Sequence, residues 1–231
     1  MVKYWINVPA KSVLKVVISI DIIIIILALV LGETPGQYFN EWTFVTYFSS
    51  LQLLGASVVA RKIFNIQKSK SKLRGLRAPY FIWGIIALAF AFMAFDEVAQ
   101  VHEGIDFGIR KIFNIPKSGR YCRIDDVIIG FYGLIGIIVL YFYRNELKKF
   151  RKIFPLLLFG FFLFFCTVAL DILSNKKLIL LVLTSNSDAV HIIKSWLGFF
   201  EESFKIIAEG IFLGAFYYGF EITKSGFNKW Q

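Results

Sequence analysis

Two long apolar stretches limit this chain more than any other feature. Val16–Leu31 is broken only by Ser19 and Asp21, and Phe154–Leu170 is nearly as continuous. A helix rises about 1.5 Å per residue, so runs of this length match the roughly 30 Å hydrocarbon core of a bilayer better than a buried soluble core. Composition points the same way. The chain is 57% hydrophobic and 18% charged, with 26 Phe among 231 residues, whereas soluble domains carry about a quarter charged residues. Disordered, collagen-like and disulfide-scaffold classes are excluded on the same grounds.

The pattern predicts an all-α, polytopic integral membrane protein with about six transmembrane helices in one bundle. The expected spans are 13–32, 43–60, 79–95, 127–143, 153–172 and 197–220, forming a single domain over 1–231. Gly32 to Gly36, Pro79, Pro116, Asn175 and Ser185 to Ser187 supply the breaks between them. The first span follows Lys3, Lys11 and Lys15, is too long for a signal-peptide core, and reads as a retained anchor. The sixth carries Glu201, Glu202, Lys205 and Glu209, so it is expected inside the bundle, away from lipid. Cys122 and Cys166 are expected to be unpaired thiols.

The net charge of +10 is large for such a chain, and its distribution sets an orientation. With six spans, one face collects 17 basic and 2 acidic residues, while the other holds 8 basic and 12 acidic. Basic loops stay cytoplasmic. Both termini are therefore expected in the cytoplasm, most simply at a prokaryotic cytoplasmic membrane. One repeat complicates this picture: Arg61-Lys-Ile-Phe-Asn-Ile-Gln-Lys-Ser69 recurs as Arg110-Lys-Ile-Phe-Asn-Ile-Pro-Lys-Ser118 on the opposite face. Either a basic amphipathic segment has been reused, or both copies face the cytoplasm and 79–95 is re-entrant.

Four groups of residues could carry function. The outer face gathers Asp96, Glu97, His102, Glu103, Asp171, His191, Glu201 and Glu202. On one continuous helix, Asp96, Gln100, Glu103 and Asp106 would share a face. Clustered carboxylates need a metal, bound protons or neighbouring cations to coexist. His102, Glu103, Asp96 and Glu202 are the candidate ligands for a divalent metal. Against that set, no His-Glu-x-x-His or paired Cys/His pattern is present. Helix-end capping and ion pairing would account for the same acids.

The second group is Asp21, Lys205 and Glu209, which fall inside the spans. Counting from opposite ends brings Asp21 and Glu209 to a similar depth. They form either a structural lock with a Lys205–Glu209 pair, or a proton or cation relay running from the outer acids through Glu202. The third group is a close-packing set, Gly210 and Gly214 in one helix and Gly130 and Gly133 in another, suited to helix approach within the chain or in a homo-oligomer. The fourth is a basic cytoplasmic loop, Arg61, Lys62, Lys68, Lys70, Lys72, Arg74 and Arg77, which would hold anionic lipid or an acidic protein partner. It lacks the shaped element that direct nucleic-acid reading needs.

No phosphate loop, dinucleotide fingerprint or serine-hydrolase elbow is present. The expectation is a non-enzymatic membrane subunit acting as a sensor, anchor or channel-like component. The alternative from another class is an intramembrane metal-dependent hydrolase acting on lipid or peptide.

Overall fold

The computed structural model describes residues 9–39, 42–73, 75, 78–114, 124–175 and 187–226. Among them every regular element is helical. Helix α1 (Ala10–Leu31) opens on Pro9, whose carbonyl accepts the N–H groups of Ser12 and Val13. It stops at Gly32, ahead of Thr34-Pro35-Gly36, where proline cannot continue the helix. Helix α2 (Phe44–Lys70) follows a short 3-10 turn, and α3 (Phe81–Ala99) is succeeded almost at once by α4 (Val101–Phe113). Then come α5 (Ile124–Phe142), the single turn α6 (Arg144–Leu147), a 3-10 segment (Lys148–Ile153), α7 (Phe154–Asn175) and α8 (Ser187–Ser225).

Helix α8 is the axis of the bundle. It packs against α1, α2 and α7, and α3 is held mainly by α2. Small residues make these approaches possible: Ala56 and Ala60 on α2 and Ala208 on α8 are fully buried. Around them close Ile63, Phe64, Ile82, Trp83, Phe212 and Phe216, with Phe150 and Ile153 of the 3-10 segment beneath. Trp83 meets both Phe150 and Phe216 edge-on, at 4.8 and 6.0 Å between ring centroids, the arrangement aromatic quadrupoles favour. Helix α5 lies at the periphery, with Phe131, Ile137, Tyr141 and Phe142 exposed.

The polarity of the fold is inverted relative to a soluble domain. Val16, Ile23 and Val30 on α1 and Leu158, Phe162 and Phe165 on α7 face outward, while Asp21, Ser49, Gln52, Ser57 and Glu209 are buried. Four helical stretches are long and apolar enough to cross a membrane: Ala10–Leu31, Phe81–Ala99, Arg144–Ser174 and Ala189–Ser225.

Several expected boundaries are corrected. The expected second span, 43–60, is only the first part of a 27-residue helix, and α2 is not among those four stretches. Its buried face mixes Ser49, Gln52, Ser57 and Gln67 with apolar residues such as Leu53, Ala56 and Ile63. The expected sixth span, 197–220, is the middle of a 39-residue helix. The basic loop is not a loop over its first half: Arg61, Lys62, Lys68 and Lys70 ride the last turns of α2. Lys72 lies just beyond the helix, and Arg74 and Arg77 lie outside the described residues, as does Cys122.

Candidate functional site

Three hydrogen-bonded groups of polar residues lie between the helices of the bundle. Ser49 and Gln52 stand three apart on α2 and therefore share a face. Gln52 Nε2 donates a hydrogen bond to Asp21 Oδ1 on α1. Ser49 Oγ donates to Glu209 Oε1 on α8 at 2.9 Å. One turn earlier on α8, Lys205 Nζ reaches Glu202 Oε2 at 2.7 Å and Glu97 Oε1 of α3 at 2.9 Å. Thus α1, α2, α3 and α8 are tied together by side chains that lipid could not satisfy.

Close backbone approach is what admits the carboxylate of Asp21. Its Oδ2 lies where a Cβ on Gly210 would stand, and Val17 Cγ1 would lie 3.0 Å from that same Cβ. Four residues on, a Cβ at Gly214 would press on Leu14, whose Cβ would be only 3.3 Å away. The stripe Gly210/Gly214 is therefore filled by α1 of the same chain. The surroundings of Gly130 and Gly133 lie outside the described residues.

The expected Lys205–Glu209 lock is replaced by a different pairing. Lys205 turns toward the helix end, where Glu97 and Glu202 both accept from it, and Glu209 is left to Ser49. The physical reason is electrostatic and geometric. Two carboxylates from two helices converge on one ammonium at a position where about a fifth of each side chain still meets solvent, so the charges keep part of their hydration. Asp21 and Glu209, with relative exposures of 0% and 1%, have no such relief. Three oxygens in this deeper part are buried without a hydrogen-bond partner: Asp21 Oδ2, Gln52 Oε1 and Glu209 Oε2. Each such acceptor costs on the order of 1–3 kcal/mol if nothing meets it.

The acidic end resolves into local structure more than into one cluster. The continuous helix through Asp96, Gln100, Glu103 and Asp106 does not form, because Gln100 takes a left-handed conformation (φ 53°) and divides α3 from α4. Asp96 bridges the break: its Oδ1 accepts the backbone N–H of His102 and its Oδ2 faces His102 Nδ1, both at 3.0 Å. A carboxylate there satisfies an orphan donor in the first turn of α4 and suits the positive end of its dipole. Asp106 is clasped within α4 by Arg110 Nε, at 2.8 and 2.6 Å.

Glu103 is exposed on α4, His191 is exposed near the start of α8, and Asp171 is half-buried toward the end of α7. Thr167 Oγ1 touches the backbone carbonyl of Glu201 at 3.3 Å and joins α7 to α8. Among the described residues no group of three or more His, Cys, Asp or Glu is placed to hold a metal. Of the expected metal set His102, Glu103, Asp96 and Glu202, Asp96 meets His102 as a cap and ring partner, and Glu202 meets Lys205.

The residues that sequence reasoning missed are Ser49 and Gln52. They are uncharged and sit in a stretch read as an ordinary span, yet they supply the only hydrogen bonds assigned to the two deepest carboxylates among the described residues. A polar face of Ser49, Gln52 and Ser57 at helical spacing was the available signal. Ser57 Oγ donates to Ala87 O at 2.6 Å and Ser50 Oγ to Ala94 O at 2.7 Å, fastening α2 to α3.

At the basic end, Arg61 and Lys68 lie over the Phe64 ring, 5.1 and 5.5 Å from its centroid, and Lys70 Nζ donates to Thr223 O of α8 at 3.3 Å. A family model described as Domain of unknown function (DUF8692) matches residues 5–219. No curated protein and no solved structure matches the chain.

Proposed function

The chain belongs to the DUF8692 family, and we propose that it is a non-enzymatic, multi-pass membrane subunit that senses the ionic state of one side of a membrane. Six helices cross the bilayer of a prokaryotic cell, with both termini cytoplasmic. The acidic end bearing Asp96, Glu97 and Glu202 faces out, and the basic end of α2 faces the cytoplasm, where it holds anionic headgroups or an acidic partner. The single observation behind this reading is the placement of polarity in the bundle: bulky apolar side chains outside, and paired carboxylates, amide, hydroxyl and ammonium between the helices. Exposed apolar area on this scale marks a lipid or partner surface. Buried ionisable groups in such a setting are functional by default.

Site-directed labelling tests the proposal. With Cys122 and Cys166 replaced by serine, Ser69→Cys and Glu103→Cys are labelled by an impermeant maleimide in sealed vesicles of known orientation. Labelling from opposite sides is expected, and the rate at position 69 should change when only the solution at the acidic face is altered in pH or salt. Labelling of both from one side overturns the orientation. An invariant rate at position 69 overturns the sensing role.

A further inference from the structure

We propose that Asp21, Gln52, Ser49 and Glu209 form a binding site for a single small monovalent cation, sodium ion or proton, closed between α1, α2 and α8. The inference deepens the sensing role and rests on that reading for its biological meaning, but not for its chemistry. Three features carry it.

The first is charge. Asp21 and Glu209 are both sealed from solvent, and two carboxylates in such a place cannot both be ionised without a positive partner. The charged groups that face Glu209 are Lys205 and Glu202 on its own helix and Glu97 on α3, while Asp21 is met by the amide of Gln52. Lys205 is the only cation in this set, and two other carboxylates already hold it.

The second feature is the type of unmet demand. The three buried oxygens without partners on Asp21, Gln52 and Glu209 are all acceptors, and the bond from the Gln52 amide to Asp21 leaves the other oxygen of that carboxylate unmet. A site that lacks only positive character calls for a cation and not for an anion or an apolar ligand. Oxygen donors of carboxylate, amide and hydroxyl type suit hard ions.

The third feature is placement. Asp21 Oδ2 fills the space beside α8 that Gly210 leaves by lacking a Cβ, so the carboxylate of α1 meets α8 at the residue next to Glu209. The oxygen therefore presses on backbone, and its carboxylate's only assigned hydrogen-bonding neighbour lies on the side of α2. Ser49 and Gln52, on one face of α2, extend the same polar lining to Glu209.

A ligand that binds the folded form raises its melting temperature as occupancy grows. Full-length protein in nanodiscs is melted in sodium chloride against equimolar choline chloride at pH 8, and then in choline chloride from pH 8 to pH 6. We expect the melting temperature to rise by about 5 °C in at least one arm, given a saturating ligand and a chain of this length. The Asp21→Asn/Glu209→Gln double variant, whose neutral groups need no counter-charge, should be flat in both. A rise with sodium identifies the metal ion, and a rise with acid alone identifies the proton.

Wild-type melting that is flat in both arms overturns the site, and so does a rise that persists undiminished in the double variant. If the double variant does not fold, infrared difference spectra of the wild type decide between the outcomes. A protonated-carboxyl band that appears with acid or is displaced by sodium supports the site, and a spectrum without that band in any condition overturns it. The maleimide experiment can succeed where this one fails, so the two proposals fall separately.

Discussion

The two copies of Arg-Lys-Ile-Phe-Asn have the same five residues and opposite fates. In the first, Ile63 and Phe64 are 0% and 7% exposed, Arg61 faces solvent, and the chain runs on as helix through Asn65 to Lys70. In the second, Ile112 and Phe113 are 76% and 70% exposed, Arg110 is buried against Asp106, and Asn114 closes the helix in a left-handed conformation (φ 51°). Local propensity is identical, so the difference comes from what surrounds each copy. Phe64 is received by Tyr80 and Phe81 at 5.4 and 6.2 Å and by the backbone of Gly84. Helix α4 has only light contacts with α3 and α5, so its apolar pair is left exposed.

The largest test of this contrast is to truncate the shared phenylalanine. Phe64→Ala should cost about 3 kcal/mol in a detergent-micelle unfolding titration, the low end for a buried aromatic because transfer into lipid-like surroundings offsets part of the loss. Phe113→Ala should cost under about 0.5 kcal/mol, as surface changes do. A second test makes the first copy identical to the second at its one difference. Gln67→Pro removes a helical N–H and sets the ring against the carbonyl of Ile63, so roughly 2 to 3 kcal/mol should be lost and the helicity of α2 should end near position 66 by circular dichroism.

The charged pair gives a smaller effect. Arg110→Ala abandons Asp106 in a half-buried position and should cost about 1–2 kcal/mol, whereas Arg61→Ala, exposed above a ring face, should cost less than about 1 kcal/mol. Smallest of all, Asn114→Gly should be neutral or stabilising by a few tenths of a kcal/mol, because glycine accepts positive φ freely. Asn65→Gly should destabilise by about 0.3–0.5 kcal/mol, because it lies within a helix. Equal responses at 65 and 114 in thermal melting would show that the two backbones do not differ.

The same contrast explains how much could be read from the residues alone. The all-helical class and the starts of α3 and α7 followed from apolar run length, Pro79 and the basic segment before Phe154, whereas α1 starts three residues ahead of the expected span, after Pro9. Asp21 and Glu209 could be set at one depth by counting along two helices. The partners of these carboxylates could not, because Ser49 and Gln52 interrupt an apolar window only weakly and gain importance from the helices that α2 happens to face. Lys205 had three carboxylates on its own helix within one turn, Glu201, Glu202 and Glu209, and it meets Glu202 together with Glu97 of α3. The break at Gln100 left no glycine or proline to announce it. It is held instead by Asp96 reaching across to His102.

Helix α2 is one unbroken rod from Phe44 to Lys70. Ser49 touches the deepest carboxylate near one end, and Lys68 lies nineteen residues further on, about 28 Å away at the helical rise. Gly55 is its one glycine, its side is closed by Leu213 of α8, and no proline interrupts the rod. A tilt imposed where Ser49 and Gln52 grip the neighbouring helices is geared outward to the basic tip, where a few degrees become a sideways stroke of an ångström or more. On the proposed reading, a change of occupancy between α1, α2 and α8 would be felt as a change in where the positive charge of Lys68 and Lys70 lies, with α2 itself as the pointer.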